Sequence, residues 1–408
     1  MKKRVNNEQL LCGRSVAVLP DFFELCIVAL YSFYAFINIM RVTQINEIPG
    51  VFQIIIYCNY LILFALGCML LLIGKLKSNV AITCVILLII GCIIAKKNDE
   101  LVNTLIIVMF VALGWKVRSD LLFKSYCVIA FIVVFMTVTF SLIGIYDNSY
   151  TYVWGRGYRH TLGFNYTTYA PNFLFHISLA YFFVKKKIKI TDTIMIMLFN
   201  VVLMYYTDTR AVFFELTALL LIMWLYRFFP KLFKTKIFRI LTSIIMPCLA
   251  IGMFWLSYNY KRGSRIFREL NTLLSGRLGL GHKAIGLYGL PLFGTDVEWV
   301  TNTVNYEGQY FYVDSSYLNA MFTFGIIFTL VIIFSFSVLG NKAHRADNIS
   351  LCIVIMFLSV HSFSDPQLME LRYDPFLLLL GKAWFDYSYK IELKSSRLFH
   401  IPKPRLVW

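Results

Sequence analysis

The sequence predicts an all-α, polytopic membrane protein with about 12 transmembrane helices and both termini in the cytoplasm. Of its 408 residues, 59% are apolar and only 15% are charged, and the mean hydropathy is +0.69. A soluble domain of this size would have nearer a quarter charged residues. The apolar residues fall into runs that approach the roughly 20 residues needed to cross a bilayer as a helix. Since no soluble domain interrupts these runs, we expect residues 1–408 to form a single membrane domain.

The apolar runs define the individual spans. Several of the runs are shorter than a full crossing, and the four shortest can tilt little or can pair as shallow hairpins. These four are 101–115, 192–206, 349–363 and 375–389. The complete predicted set is 22–40, 51–73, 79–95, 101–115, 121–145, 167–184, 192–206, 211–226, 240–258, 314–338, 349–363 and 375–389.

Basic residues set the predicted orientation. The chain has 39 Lys and Arg against 22 Asp and Glu, which gives a net charge of +17. With the N terminus inside, 25 of the basic residues fall in inner segments and 13 in outer segments. This bias is the one that places both termini in the cytoplasm. The positive charge is therefore a topology signal and an affinity for anionic membrane lipid, and no nucleic-acid partner is expected.

The polar connections differ along the chain. The first five spans have short connections and form a predicted scaffold. They are followed by an outer loop, 146–166, that is rich in Arg and Tyr, and later by a tight outer turn, Thr207 to Arg210. The longest polar interval is the predicted large outer loop, 259–313, and a third polar outer turn covers 364–374. None of the nine cysteines lies in an outer loop, so no disulfide framework is expected.

Arginines dominate the special residues of the predicted outer face. The planar guanidinium of arginine binds two phosphate oxygens at once, so a cluster of arginines is suited to a diphosphate. Tyrosines of the 146–166 loop could contact sugar rings, although tyrosines at this depth more often form an aromatic belt. The candidate diphosphate-binding residues are Arg156, Arg159, Arg210, Arg277 and Arg372.

Structural alternatives exist for several of these residues. Arg210 can simply pair with Asp208 in its short turn. Asp314 precedes two serines at the start of a predicted helix, where it can serve as an N-cap. His282 can cap a loop. The helical spacing of Arg262, Arg265 and Arg268 is typical of a surface that faces water or lipid headgroups.

Four short motifs occur in a fixed order. They are an Arg/Gly loop from Arg156 to Pro171, the Thr209-Arg210 turn, Ser275-Gly276-Arg277 followed by Pro291-Leu292-Phe293-Gly294, and Val313-Asp314-Ser315-Ser316-Tyr317 opening a helix that contains Gly325. In this order the sequence resembles the Wzy-type polysaccharide polymerases of the O-antigen polymerase and ligase superfamily, over roughly residues 150–340. One departure is that Thr295-Asp296 follows Gly294, where the family usually has a further glycine.

The resemblance implies a GT-C-like helical glycosyltransferase that needs no metal or other cofactor. Such an enzyme joins oligosaccharide repeat units linked to undecaprenyl (polyprenyl) diphosphate, which serve as both donor and acceptor, on the outer face of the bacterial plasma membrane. A flippase and a chain-length regulator are implied partners. Asp314 and His282 are the candidate catalytic residues, because a carboxylate or imidazole could deprotonate the acceptor hydroxyl. The sequence has no Asp-x-Asp pair and no P-loop, which agrees with a donor other than a cytosolic nucleotide-sugar.

Two other functions remain open at the level of sequence. A ligase of the same superfamily would move a glycan from lipid diphosphate to a different acceptor. A flippase or transporter of lipid-linked sugar would also be polytopic and basic. A transport pathway would place charged residues within several spans, whereas here they lie near helix ends, as for Glu215.

Overall fold

The protein is built almost entirely of helices. The computed structural model describes residues 22–72, 78–97, 101–153, 156–301 and 310–384. Both predicted cytoplasmic termini, Trp154 of the 146–166 loop and residues 302–309 of the large loop lie outside the described residues. Two short strands form a hairpin, β1 (Tyr150–Val153) and β2 (Gly157–His160). The helices are α1 (Phe22–Met40), α2 (Val51–Leu72), α3 (Ser78–Lys97), α4 (Leu101–Gly114), α5 (Ser119–Leu142), α6 (Tyr169–Lys185), α7 (Ile190–Thr207), α8 (Arg210–Phe228), α9 (Lys236–Tyr258), α10 (Arg265–Leu273), α11 (Arg277–Tyr288), α12 (Ser316–Thr323), α13 (Ile326–Arg345), α14 (Ile349–Ser364) and α15 (Leu380–Trp384).

Seven of the described helices are long and apolar enough to cross a membrane, namely α1, α2, α5, α7, α8, α9 and α13. Shorter apolar helices cover Val102–Gly114, Ile349–Ser364 and Pro375–Trp384. This is the composition of a helical membrane protein, as predicted. The total of about 12 crossings and the location of the termini stay predictions.

The first nine predicted spans coincide with α1 to α9 to within four residues at each end, and the predicted span 349–363 coincides with α14. The prediction of one continuous helix over 314–338 is wrong. The chain forms α12, breaks, and resumes as α13, which extends to Arg345. The predicted span 375–389 begins as a 3-10 turn, Pro375–Leu379, before α15; its last five residues are outside the described part of the chain.

The break between α12 and α13 has a steric cause. Gly325 adopts a φ of +88°, a conformation that side chains with a Cβ rarely adopt. A Cβ placed there would lie 2.4 Å from the carbonyl oxygen of Leu292 and 2.4 Å from the amide nitrogen of Gly294. The amide of Ile326 donates to the Pro291 carbonyl at 3.0 Å. The Pro291–Gly294 segment is therefore packed into the break.

The centre of the bundle contains α6 and α14. In α6, 13 of the 17 residues are buried, so this helix is surrounded by protein rather than by lipid. Other helices leave large apolar side chains exposed, such as Phe64 at 70% and Ile251 at 67%. Exposed apolar surface of this extent on long apolar helices is what a bilayer covers.

The connecting segments gather at two ends. At one end, Lys185 pairs with Asp192 across the α6–α7 connection at 2.5 Å, and Lys234 pairs with Asp347 at 2.7 Å. At the other end lie the hairpin, the α7–α8 turn, the segment between α9 and α12, and the segment after α14. These four segments are the predicted outer loops and turns, and they surround the site described next.

Candidate functional site

The 146–166 loop docks on the α7–α8 turn through Arg159. In the hairpin, Arg159 pairs with Thr151, and the alternation of side chains along a strand places it on the face opposite Tyr158. Its Nε donates to the Thr207 carbonyl at 2.7 Å, and a terminal nitrogen lies 3.4 Å from Thr209 Oγ1. Burial, together with the nearby positive charge of Arg156, lowers the pKa of Arg159.

Asp208 organises two of the predicted arginines, Arg156 and Arg210. It ends α7 in the left-handed conformation, with φ 45°. Its carboxylate accepts from Arg156 Nε at 2.6 Å and from Arg210 Nε at 2.8 Å. Burial raises the pKa of Asp208, but the hydrogen bonds from these two arginines outweigh it and hold the pKa below its ordinary value. With Arg159, the group has three positive charges against one negative charge. The contact between Arg210 and Asp208, given above as the structural alternative for Arg210, is present.

A second charged pair joins Arg277 and Asp314. Ser275 and Gly276 both have positive φ, 51° and 87°, and the resulting turn places Arg277 at the first position of α11. Arg277 Nε lies 3.9 Å from Asp314 Oδ2, and the side chains are 16% and 28% exposed. Arg277 Nε is buried and has no hydrogen-bond partner among the described residues. Its guanidinium therefore has donor capacity for an anionic ligand.

Asp314 does not cap α12. The N-cap residue of this helix is Ser315, whose side chain makes no capping hydrogen bond, and the amide of Ser316 donates to the Asp365 carbonyl at 3.2 Å. The predicted alternative of an N-cap role for Asp314 is wrong, because the helix begins one residue later than that role requires. The carboxylate of Asp314 faces Arg277 instead.

The environment of Asp314 shifts its proton affinity. Burial raises the pKa of Asp314 to about 6, and the negative charge of Asp365 acts in the same direction. Arg277 and a hydrogen bond donated by the Tyr310 hydroxyl act in the opposite direction and limit the rise. A carboxylate with a pKa near 6 is ionised at neutral pH and still basic enough to accept a proton from a reacting hydroxyl.

Tyr166 connects the two charged groups into one site. Burial raises the pKa of Tyr166, and the charges of Asp314, Arg159, Asp365 and Arg277 all act on it. Its hydroxyl also hydrogen-bonds with that of Tyr310. Tyr166 therefore lies within electrostatic reach of both Arg159 and the Arg277–Asp314 pair. Five of the seven predicted site residues come together in this region; they are Arg156, Arg159, Arg210, Arg277 and Asp314.

The other two predicted residues have different surroundings. His282 is exposed, its Nδ1 lies 3.0 Å from the Ser257 carbonyl oxygen, and its ring centroid is 5.8 Å from that of Tyr260. Arg372 forms an ion pair with Glu370. Burial lowers the pKa of Arg372, but Glu370 and nearby tyrosines outweigh it and raise the pKa overall. The described contacts place neither residue against Asp314.

The site also includes a pair that the sequence analysis did not select. His361 Nδ1 of α14 lies 2.6 Å from Glu215 Oε2 of α8, and His361 is 1% exposed. Ser364 Oγ lies 3.5 Å from Glu215 Oε1 and 3.2 Å from Asp365 Oδ2. This hydrogen-bonded series leads from the buried histidine to Asp365, whose charge acts on Asp314. Glu215 and His361 are both ionisable residues within apolar helices, and this feature could have marked them as candidates from the sequence.

The fold and the site define a helical membrane protein whose loops at one end bring arginines, carboxylates and tyrosines together. No protein-family model matches the chain, and no curated protein or solved structure matches it.

Proposed function

We propose that the protein is a metal-independent glycosyltransferase that polymerises oligosaccharide units linked to polyprenyl diphosphate on the outer face of the bacterial plasma membrane. The observation that carries the proposal is the Arg277–Asp314 pair. The guanidinium of Arg277, whose buried Nε has no hydrogen-bond partner among the described residues, lies 3.9 Å from a carboxylate whose pKa burial raises to about 6. This pair offers an anion-binding group and a proton acceptor side by side, as glycosyl transfer from a diphosphate requires.

The charge of the Asp208 group supports a diphosphate as the leaving group. Arg156, Arg159 and Arg210 with Asp208 have a net charge of two positive units, and a diphosphate diester has two negative charges. Asp208 fixes the orientation of two of these guanidinium groups before a ligand binds. Preorganised cations of this kind stabilise negative charge that develops in a transition state.

The residues of this site account for each bond, proton and charge in the proposed reaction. The acceptor hydroxyl oxygen forms a bond to the anomeric carbon of the donor, and the bond between that carbon and the diphosphate oxygen breaks. The hydroxyl proton passes to the carboxylate of Asp314, and the electron pair leaves with the diphosphate. Arg277 and the Asp208 group stabilise the departing diphosphate, while Tyr310 orients Asp314 by donating to its carboxylate.

The motif order supports the choice of substrate. The residues that resemble the Wzy-type polymerases include Arg210, Arg277 and Asp314, three residues of the described site. A flippase would deliver the lipid-linked unit to the outer face, and a chain-length regulator would act on the product. A ligase would use the same donor and site chemistry, so the identity of the acceptor separates the two activities.

The test uses purified protein in nanodiscs with lipid-linked repeat units and a chelator. Wild type should form polymer without added glycan acceptor; transfer only to an added second acceptor would indicate a ligase. Arg277→Gln should reduce the rate by on the order of 10²–10³, and Arg277→Lys should also impair it, because lysine cannot bind two oxygens in one plane. Lys283→Gln, an exposed position on the same helix, is the matched control. Normal polymer from both Arg277 variants, or loss of wild-type activity on chelation, would refute the proposal.

A further inference from the structure

Helix α10 has an amphipathic distribution of side chains. At 100° per residue, Ile266, Phe267, Leu270 and Leu273 fall within a sector of about 120°. Arg265, Arg268, Glu269 and Thr272 occupy the other side of the helix. The helix has nine residues, and isolated helices of this length are marginal in water. Its stability therefore depends on what covers the apolar sector.

The protein covers only one part of that sector. The Phe267 ring lies 6.1 Å from the Tyr260 ring, and Leu270 is half-buried. Ile266 is 71% exposed and Leu273 is 78% exposed. These two residues are seven positions apart, so they lie on the same edge of the helix. On the helix, the exposed Ile266 and Leu273 lie next to the partly buried Phe267 and Leu270. Helix α10 therefore lies between the protein and a second apolar environment.

Two observations identify that phase as the membrane. Helix α9 ends at Tyr258, a few residues before α10, and exposes Trp255 at 57% and Tyr258 at 56%, so the lipid-covered surface of α9 leads directly to this segment. The segment is also basic. Lys261, Arg262, Arg265 and Arg268 face only one acidic residue, Glu269, which pairs with Arg265 at 2.8 Å; these make up the charged residues of 259–273. Excess cations beside an apolar edge complement phospholipid headgroups.

We propose that α10 is an interfacial helix that lies on the membrane surface beside the site, with Ile266 and Leu273 at the acyl boundary and Arg268 at lipid phosphates. The helix also sets the depth of Arg277. The Asn271 carbonyl accepts from the Gly276 amide at 2.7 Å, and Asn271 Oδ1 accepts from the Gly279 amide at 2.9 Å. The end of α10 is thus fastened to the first turn of α11, where Arg277 lies. Contact between α10 and lipid would hold Arg277 at a fixed height above the bilayer.

The first test measures depth directly. In a full-length chain with its native cysteines replaced, single nitroxide labels at 266 and 273 are compared with control labels at 269 and 272 in nanodiscs of phosphatidylglycerol and phosphatidylcholine. Labels at 266 and 273 should collide more with oxygen than with a water-soluble nickel chelate, and the control labels should show the reverse. Equal nickel access at all four positions would overturn the proposal. Low access to both reagents at 266 and 273 would also overturn it, since protein and not lipid would then cover this edge.

The second test examines the link to Arg277. In a variant with Ile266→Asp and Leu273→Asp, a label at Ser275 should gain nickel access relative to the same label in the parent chain. Thr272→Asp, on the polar side, should leave that label unchanged. Ile266 and Leu273 are both exposed. A single symmetric peak in gel filtration verifies that each variant is folded. An unchanged label in the double variant would show that α10 does not determine the height of α11. Neither test depends on glycosyl transfer, so their failure is distinguishable from failure of the proposed function.

Discussion

The proposed role of Asp314 makes a prediction about pH. The rise of its pKa from 3.8 to about 6 corresponds to about 3 kcal/mol in favour of the protonated form. A general base must be ionised, so the rate of transfer should rise with pH through an apparent pKa near 6 and level off above it. Asp314→Asn keeps the size of the side chain but cannot accept a proton, and the rate should fall by on the order of 10²–10⁴.

Two conservative substitutions should move the acid limb of this profile in opposite directions. The hydrogen bond from Tyr310 lowers the pKa of Asp314, so Tyr310→Phe should move the limb to higher pH. The charge of Asp365 raises the pKa of Asp314, so Asp365→Asn should move the limb to lower pH. Opposite shifts from two neighbours would identify Asp314 as the titrating group, because a merely structural role for either neighbour would lower the rate at every pH.

The raised pKa of Asp314 also affects the stability of the fold. The pKa of Asp314 is higher in the folded than in the unfolded chain, so its protonation stabilises the fold; this contribution is fully present below pH 3.8 and is lost as pH rises through about 6. Asp314→Asn resembles the protonated form at every pH. The variant should therefore be more stable than wild type at neutral pH, by up to about 3 kcal/mol, and the difference should vanish in acid.

The assay is polymer formation by purified protein from lipid-linked repeat units on both sides of pH 6, with thermal unfolding measured on the same samples. Asp314 is not the N-cap of α12, so Asn at this position is not expected to alter the start of the helix. Near-normal activity of Asp314→Asn would refute the reasoning and would make His282 the candidate base. A profile whose limb is unmoved by both Tyr310→Phe and Asp365→Asn would refute the electrostatic part alone.

Three further outcomes are expected. Gly325→Ala should destabilise the fold by about 1–3 kcal/mol from backbone strain, and more from its 2.4 Å contacts, whereas Gly252→Ala, with open space around its Cβ, should not; thermal unfolding in detergent compares them. A double-mutant cycle with Glu215→Gln and His361→Gln should give a coupling of about 0.5–3 kcal/mol in the free energy of unfolding. A coupling of zero would contradict the 2.6 Å contact between the two side chains. A single cysteine at Ser275 should react with an impermeant thiol reagent in intact cells; labelling only after lysis would contradict the outer-face orientation.

The helices could be predicted from sequence because the bilayer requires long apolar runs. The starts and ends of α1 to α9 follow from where those runs meet polar residues. The break at Gly325 could not be predicted from the run 314–338, which stays apolar through it. The break depends on the backbone of Leu292 and Gly294, which are distant in sequence and approach too closely for a Cβ. Hydropathy contains no information about such a contact.

The candidate site residues could be predicted from the sequence only as far as the charge of a side chain determines which ligand it can bind. Arginine is costly to place in a membrane protein and its guanidinium fits phosphate, and Arg210 and Arg277 were chosen as candidates on that ground. The spatial grouping was not predictable. His361 and Glu215 are separated by 146 positions, and their contact depends on how α8 and α14 pack. Arg372 has the same chemistry as Arg277, but its partner, Glu370, lies only two positions away.

The two groups of cations in the site differ in how firmly the protein holds them, and this difference indicates how they would divide the work of the proposed reaction. Arg156 and Arg210 donate to Asp208 at 2.6 and 2.8 Å, so their guanidinium groups are fixed before any ligand arrives. Within the described part of the chain, the guanidinium of Arg277 has a 3.9 Å ion pair with Asp314 and a 3.4 Å contact with the Leu274 carbonyl. A fixed group is suited to binding a diphosphate that is charged from the start, since it requires no reorganisation. A loosely held guanidinium beside the base can shift toward charge that appears only as the glycosidic bond breaks. As Arg277 shifts away from Asp314, its lowering effect on the pKa of that carboxylate weakens, which would favour proton uptake at the moment when the acceptor hydroxyl loses its proton.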